Sequence, residues 1–267
     1  MTSKSSTPDV GALFKAAEEA GDLSAQAMQA LSVVDLGAQI QDALGTPAMD
    51  VQASEVFLVA MVIDDSGSIR FVSGNTEAVR AGHNGVLEAL GASKQKDSIL
   101  VHTRYLNGTI LYPFCLLGQV VKMDSRNYDP NGGTPLYDET VALLGTVLAK
   151  AQEFADNGVP VRTATLIVTD GNDQHSTRAN VQKVAAVVRD MLKLETHIVA
   201  AMGVDDGSTD FRLIFKGMGI PDNWILTPQN SPSEIRKAFQ VFSQSAVRAS
   251  QSAQSFSQAA LGGFGTK

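Results

Sequence analysis

Residues 64 to 68 read Asp-Asp-Ser-Gly-Ser, a carboxylate followed by hydroxyls at alternate positions. Alternate residues of an extended turn can point the same way, so Asp64, Ser66 and Ser68 can converge on one point. A second carboxylate, Asp170, closes the apolar run Ala164 to Val168, and Gly132-Gly133-Thr134 introduces another hydroxyl where glycines let the backbone approach closely. Two carboxylates with three hydroxyls form a hard oxygen donor set. That set suits Mg²⁺, with Mn²⁺ or Ca²⁺ as alternatives, better than Zn²⁺, which favours His and Cys. With neutral hydroxyls in direct contact and the aspartates acting mainly through water, such an ion keeps its pull on an incoming carboxylate.

These residues need a scaffold that brings distant loops together. Val56 to Ile63 is apolar throughout and rich in β-branched types, which predicts a central parallel strand covered on both faces. Asn75 to Ala92 has the spacing of a helix, and Ser98 to Leu106 with Thr109 to Cys115 flank Asn107-Gly108 as an edge hairpin. After the polar loop Lys122 to Thr134, Leu136 to Phe154 predicts a long amphipathic helix. Further strands at Ala164 to Val168, His197 to Ala201 and Trp224 to Leu226 alternate with helices at Val181 to Leu192, Asp210 to Lys216 and from Pro232. The alternation implies an α/β fold with a doubly wound, mainly parallel six-stranded sheet and one antiparallel edge strand. Ligands of such sheets bind beyond the carboxyl ends of the strands, where Asp64 and Asp170 fall.

The ends of the chain differ from its middle. Of the net charge of −7, residues 1 to 50 carry −5, with seven acids against the two bases Lys4 and Lys15. Their Ala-rich pattern predicts helices over 8 to 44, with Pro8 and Asp9 near a first start and Asp22 at a second. Residues 243 to 258 contain six Ser and four Gln, so the last part of the chain is expected to be a mobile tail. The expected organisation is an acidic helical extension (1–50), a main domain (51–245) and a tail (246–267). The single cysteine, Cys115, excludes an intramolecular disulfide and fits a reducing, cytoplasmic setting. No basic cluster suggests nucleic acid, and no apolar stretch suggests a membrane partner.

Taken together, DxSxS at Asp64, Ser66 and Ser68, GGTPL at Gly132 to Leu136 and VTDG at Val168 to Gly171 resemble the metal-ion-dependent adhesion site of von Willebrand factor type A domains. The resemblance covers roughly Glu55 to Gln244. It implies that Ser66 and Ser68 ligate directly, that Thr134 does so directly or through water, and that Asp64 and Asp170 act largely through water. It further implies a non-enzymatic protein-binding module whose partner presents an Asp or Glu. Asp65 departs from the pattern at a spacer often held by Gly. The closing segment NWILTPQNSPSEIRKAFQVFSQS looks like that of bacterial cytosolic members, including those associated with tellurite resistance. Members often work beside ATP-driven machines, which admits association with an ATPase complex.

Two other readings compete. A haloacid-dehalogenase-like phosphatase also places an Asp at the first strand tip and a DGND-type element later, but it needs a general-acid Asp where this chain has Ser66. A metal-free scaffold of the same fold would use the serines and Thr134 merely as caps and turns. Of the four histidines, His83, His102 and His197 are expected to be structural or solvated. His175 alone falls near the site.

Overall fold

A computed structural model describes residues 9–33, 35–251, 256 and 261–264. Lys4, Pro8 and its expected place at a helix start, and tail residues 252–255, 257–260 and 265–267 lie outside them.

The all-apolar run forms β1 (Val56–Ile63), with every residue buried. Its parallel neighbours are β2 (Ile99–Tyr105) and β4 (Val161–Thr169), with Ile63 opposite Tyr105 on one side and Val168 on the other. Beyond β4 lie β5 (His197–Gly203) and β6 (Ile225–Leu226), both parallel, and beyond β2 lies the antiparallel edge strand β3 (Ile110–Leu116). The sheet therefore runs β3-β2-β1-β4-β5-β6. Chain direction across the sheet reverses between β1 and β4, which opens a crevice at their carboxyl ends.

The hairpin between β2 and β3 turns at the expected place but in a different way. Only Gly108 takes the left-handed conformation, at φ +87°. The Tyr105 carbonyl accepts from Gly108 N–H at 3.0 Å while Tyr105 N–H donates to the Thr109 carbonyl at 2.9 Å. This is a three-residue loop ending in a left-handed glycine, not a two-residue Asn-Gly turn.

Helices α4 (Asn75–Gly91) and α8 (Pro232–Gln251) pack together on one face of the sheet. Gly82 permits their close approach, since a Cβ there would stand 2.2 Å from the Phe239 ring. The other face carries α5 (Leu136–Asp156), α6 (Val181–Lys193) and α7 (Phe211–Gly217). Helix α8 runs through the boundary expected at residue 245, and Ala246, Ala249 and Ser250 are buried. Past its end, the rings of Phe256 and Phe264 lie 6.2 Å from Phe57 and 5.1 Å from Trp224.

The N-terminal residues form α1 (Val10–Glu19), α2 (Ala25–Leu31) and α3 (Leu36–Ala43), a further layer on α5 and α6. Asp9 caps α1 by accepting from Gly11 N–H, as its position suggests. Asp22 does not start the second helix. Gly21 turns the chain at φ +84° and Asp22 N–H returns to the Ala17 carbonyl at 2.9 Å, so Asp22 serves to end α1. Ser24 is the cap of α2, its hydroxyl accepting from Ala27 N–H at 3.3 Å.

This layer changes the character of α5. Instead of one buried stripe, the helix is covered on both sides, and Thr140, Thr146 and Lys150 on it are fully buried. A Cβ at Gly145 would meet Ile40 Cδ1 at 2.7 Å and Leu31 Cδ2 at 2.9 Å, so glycine lets α2 and α3 settle there. Lys150 pairs with Glu153 at 2.7 Å and donates to the Thr46 carbonyl, and Glu153 also accepts from Ala48 N–H at 2.8 Å. The buried charges thereby satisfy the backbone of the segment leading into β1.

Candidate metal centre

Asp64 extends the β1 ladder by one bond, its N–H donating to the Val168 carbonyl at 3.1 Å. This places its fully buried carboxylate at the crevice between β1 and β4. One oxygen accepts from Ser66 N–H at 2.7 Å; the other accepts from the Thr169 hydroxyl at 2.7 Å and Asp170 N–H at 3.2 Å. The Tyr128 hydroxyl donates to the Asp64 carbonyl at 2.6 Å. Asp64 is thus the knot that joins the two strand ends.

Ser66 and Ser68 meet as their alternate spacing suggests, with hydroxyl oxygens 2.9 Å apart. Both point at Asp170 Oδ1, at 3.2 and 2.7 Å. Ile69, fully covered below the turn, anchors the loop that carries them. The segment leading to Thr134 pairs with the serine loop through its backbone. Gly132 N–H donates to the Asp65 carbonyl at 2.9 Å and Gly67 N–H to the Gly132 carbonyl at 3.3 Å, which sets the Thr134 segment alongside the serine loop. Side-chain bonds therefore gather Asp64, Ser66, Ser68 and Asp170, whereas Thr134 is tied to the neighbourhood only through the main-chain pairing of Gly132, two residues before it.

The electrostatics are unbalanced. Asp170 is 7% exposed, and burial, followed by the charge of Asp64, pushes its carboxyl up to about 6 against the help of both serines. Asp65, also buried, is likewise pushed up to about 6, mainly by burial, although Asn107 N–H donates to it at 3.0 Å. Guanidiniums on β2 and on the surrounding loops are engaged with other acids: Arg104 with Glu139 at 2.5 Å, Arg70 with Asp129 at 2.6 Å, and Arg178 with Asp138 at 3.3 Å. Among the described residues no ion pair neutralises Asp64, Asp65 or Asp170. Nor do three or more His, Cys, Asp or Glu side chains form a metal cage. A cation here would draw on hydroxyls, which is the donor chemistry of a hard ion.

Sequence reasoning overlooked Thr169, Tyr128, Asn107 and Asp173. Thr169 carried a signal, since it lies inside VTDG, whereas Tyr128 sits in a polar loop with no pattern to mark it. His175 does touch the site: its Nδ1 accepts from Thr134 N–H at 2.9 Å. His83, His102 and His197 are buried elsewhere, and burial pushes them down to about 4, 3 and 4. Cys115 is a buried residue of β3 whose thiol burial pushes up to about 11. A groove of about 450 Å³ lies at the opposite end of the sheet, lined by Leu23, Leu148, Val161 and His197.

The sequence matches no family model and no curated protein sequence. Solved structures do resemble it. The pilus adhesin SpaC from Lactobacillus rhamnosus GG, in its open conformation, superposes with a TM-score of 0.51 at 15% identity, over 74% of this chain and 30% of the adhesin. Another crystal form of the same adhesin gives 0.52 at 13% identity, over 73% of this chain and 31% of the adhesin. Proximal thread matrix protein 1 from the mussel byssus, with a zinc-occupied MIDAS motif, gives 0.47 at 15% identity, over 74% of this chain and 47% of that one. This chain spans about a third of the adhesin's length. The likeness to the adhesin is one of fold alone, shared by the mainly parallel six-stranded α/β sheet described above.

Proposed function

We propose that this chain is a Mg²⁺-dependent protein-binding module, in which a partner Asp or Glu completes the coordination of an ion held at the β1/β4 crevice. The observation that carries the reading is the convergence of both serine hydroxyls on Asp170, beside the buried Asp64, with no ion pair to balance them among the described residues. Ser66 and Ser68 would bind the ion directly, Thr134 directly or through water, and Asp64 and Asp170 mainly through water. A bound cation supplies one thing, an electrophilic position that draws a carboxylate.

The chain's own residues do the rest. Asp64 holds the serine loop through Ser66 N–H and the β4 end through Thr169, so the hydroxyls are positioned before anything binds. Ile69 and the Arg70–Asp129 pair tie down the turn Gly67–Phe71, whose last residue, Phe71, three positions after Ser68, is 86% exposed. Phe71 offers apolar surface to the same partner.

Binding is favoured over phosphoryl transfer because the position two residues after Asp64 holds Ser66, whose hydroxyl is turned to Asp170 and is no general acid. The finer kinship with bacterial cytosolic proteins of tellurite resistance rests on the closing sequence, the cytoplasmic setting on the lone cysteine, and an ATPase-complex partner only on the family that the motifs resemble. Among the described residues no helix is long and apolar enough to cross a membrane.

Calorimetric titration of Mg²⁺ into the wild-type chain and into the Ser66→Ala/Ser68→Ala variant tests the assignment. Binding by the wild type and loss in the variant is expected; equal heats from both would refute the ligands named. Magnesium-dependent hydrolysis of a generic phosphoester, abolished by Asp64→Asn, would support the phosphatase instead.

A further inference from the structure

Residues 173–179, in the loop that follows β4, are bonded to Thr134 and to the first turn of α5. Thr134 is held on both sides of its backbone: its N–H donates to His175 Nδ1 at 2.9 Å, and its carbonyl accepts from Gln174 N–H at 3.1 Å. The bonding continues into the first turn of α5, whose N–H groups have no partners within the helix. Asp173 accepts from Tyr137 N–H at 3.1 Å, and the Ser176 hydroxyl accepts from Asp138 N–H at 3.0 Å. Ser176 in turn donates to Asp173 at 2.5 Å. Asp138 reciprocates, its carboxylate accepting from the N–H groups of Thr177, Arg178 and Ala179 at 3.0, 3.0 and 2.6 Å. Each segment caps the other.

The N-terminal helices stand behind this double cap. Ala30, Val33 and Leu36 enclose a small cavity with Asp138, Arg178 and Ala179. Gln39 on α3 accepts from Arg104 at 3.3 Å; Arg104 pairs with Glu139, and Arg178 bridges Glu139 at 3.5 Å and Asp138 at 3.3 Å. A continuous set of polar contacts thus runs from the extension to the loops that bear Thr134 and Asp170.

We infer that Asp173 and Asp138 are positioning residues that make the Thr134 loop and the loop after Asp170 a single unit, with the N-terminal extension as its backing. Displacement of Thr134 carries residues 174–179 with it, and a change at the Gln39 end reaches the metal centre by the same contacts. The part of this inference that concerns metal affinity rests on the function proposed above; the mechanical coupling does not.

Asp173 is only partly buried, which makes Asp173→Ala the suitable perturbation, with Asp173→Asn as the conservative control because its amide oxygen still accepts both bonds. Hydrogen exchange on the full, metal-free chain is the first readout. Asp173→Ala is expected to speed exchange at Thr134, Tyr137 and Asp138 as well as at residues 174–179, by about tenfold, with Asp173→Asn near wild type. Calorimetry with Mg²⁺ is the second, and Asp173→Ala should bind about tenfold more weakly, as for other groups that orient metal ligands. Faster exchange confined to residues 171–179, with Thr134 protected and Mg²⁺ affinity unchanged, would overturn the coupling and leave Asp173 as a local loop residue. A wild-type chain that does not bind Mg²⁺ would instead refute the metal reading, and the exchange result alone would then decide the coupling. Gln39→Ala is the check on the backing: faster exchange at Thr134 supports it, and wild-type exchange there overturns it.

Discussion

In the metal-free protein, replacing Asp170 by asparagine should raise stability at neutral pH. Asp170 moves from 3.8 to about 6 on folding, chiefly because it is buried and next because Asp64 lies beside it. Between those two values the folded chain holds a proton that the unfolded chain has released, so stability falls as pH rises through that window and stays low above it. A difference of roughly two pKa units corresponds to about 3 kcal/mol at pH 7.5, at about 1.4 kcal/mol per unit. The substituted amide carries no charge and still offers an oxygen to Ser66 and Ser68, so Asp170→Asn should recover most of that amount. Urea unfolding in EDTA at pH 4.5 and 7.5 measures it. The variant should gain about 2–3 kcal/mol at pH 7.5 and only about 1 kcal/mol at pH 4.5, where the folded wild-type carboxyl is largely protonated and the unfolded one is not. Part of the wild-type pH slope should survive, since Asp65 is also pushed up to about 6, and Asp65→Asn/Asp170→Asn should flatten it further. With Mg²⁺ at about a thousandfold its dissociation constant the order should reverse, because the wild type alone gains about 4.1 kcal/mol of linkage. An Asp170→Asn chain that is less stable than wild type at pH 7.5 in EDTA, or that keeps the full pH slope, would show that burial and the neighbouring Asp64 do not penalise the charged Asp170 in the folded state.

Three further outcomes are expected. Glu139→Gln should cost about 3–5 kcal/mol in urea unfolding because it strands the buried guanidinium of Arg104, whose Nε and Nη1 already lack partners, whereas the double change Arg104→Met/Glu139→Leu should cost far less. Gly145→Val should cost about 1–3 kcal/mol by forcing Ile40 and Leu31 off α5, read as a lowered urea midpoint with an unchanged slope. Cys115 should resist iodoacetamide in the native chain and react only on unfolding, as mass spectrometry would show, because its buried thiol is pushed up to about 11.

Sequence alone determined the features that follow from local pattern. A run such as Val56 to Ile63 can be buried only between two covered faces, and this makes it the middle of a parallel sheet wherever its neighbours come from. The acids at its end and at the end of β4 then fall at the carboxyl edge of the sheet, and alternate spacing brings Ser66 and Ser68 together. Asn107-Gly108 marks the edge hairpin because glycine tolerates the left-handed backbone, although the turn uses only the glycine in that way.

Other features needed the tertiary structure, since they depend on partners far apart in the chain. Asp22 and Ser24 are both good helix caps, and the choice fell to Ser24 only because Asp22 is used in closing α1. Lys150 and Thr146 look like the solvent side of an amphipathic α5, and they are buried because α1 to α3 cover that side. Nothing local announces that Arg104 on β2 will face Glu139 on α5, or that Asp173 will cap a helix that begins 37 residues before it. At the candidate site, residue types and spacing marked the five donors one by one. The meeting of Asp64, Ser66, Ser68 and Asp170 came from the β1/β4 register, and the Thr134 segment was tied in by the backbone pairing of Gly132 with the serine loop, which are long-range contacts that a spacing rule cannot contain.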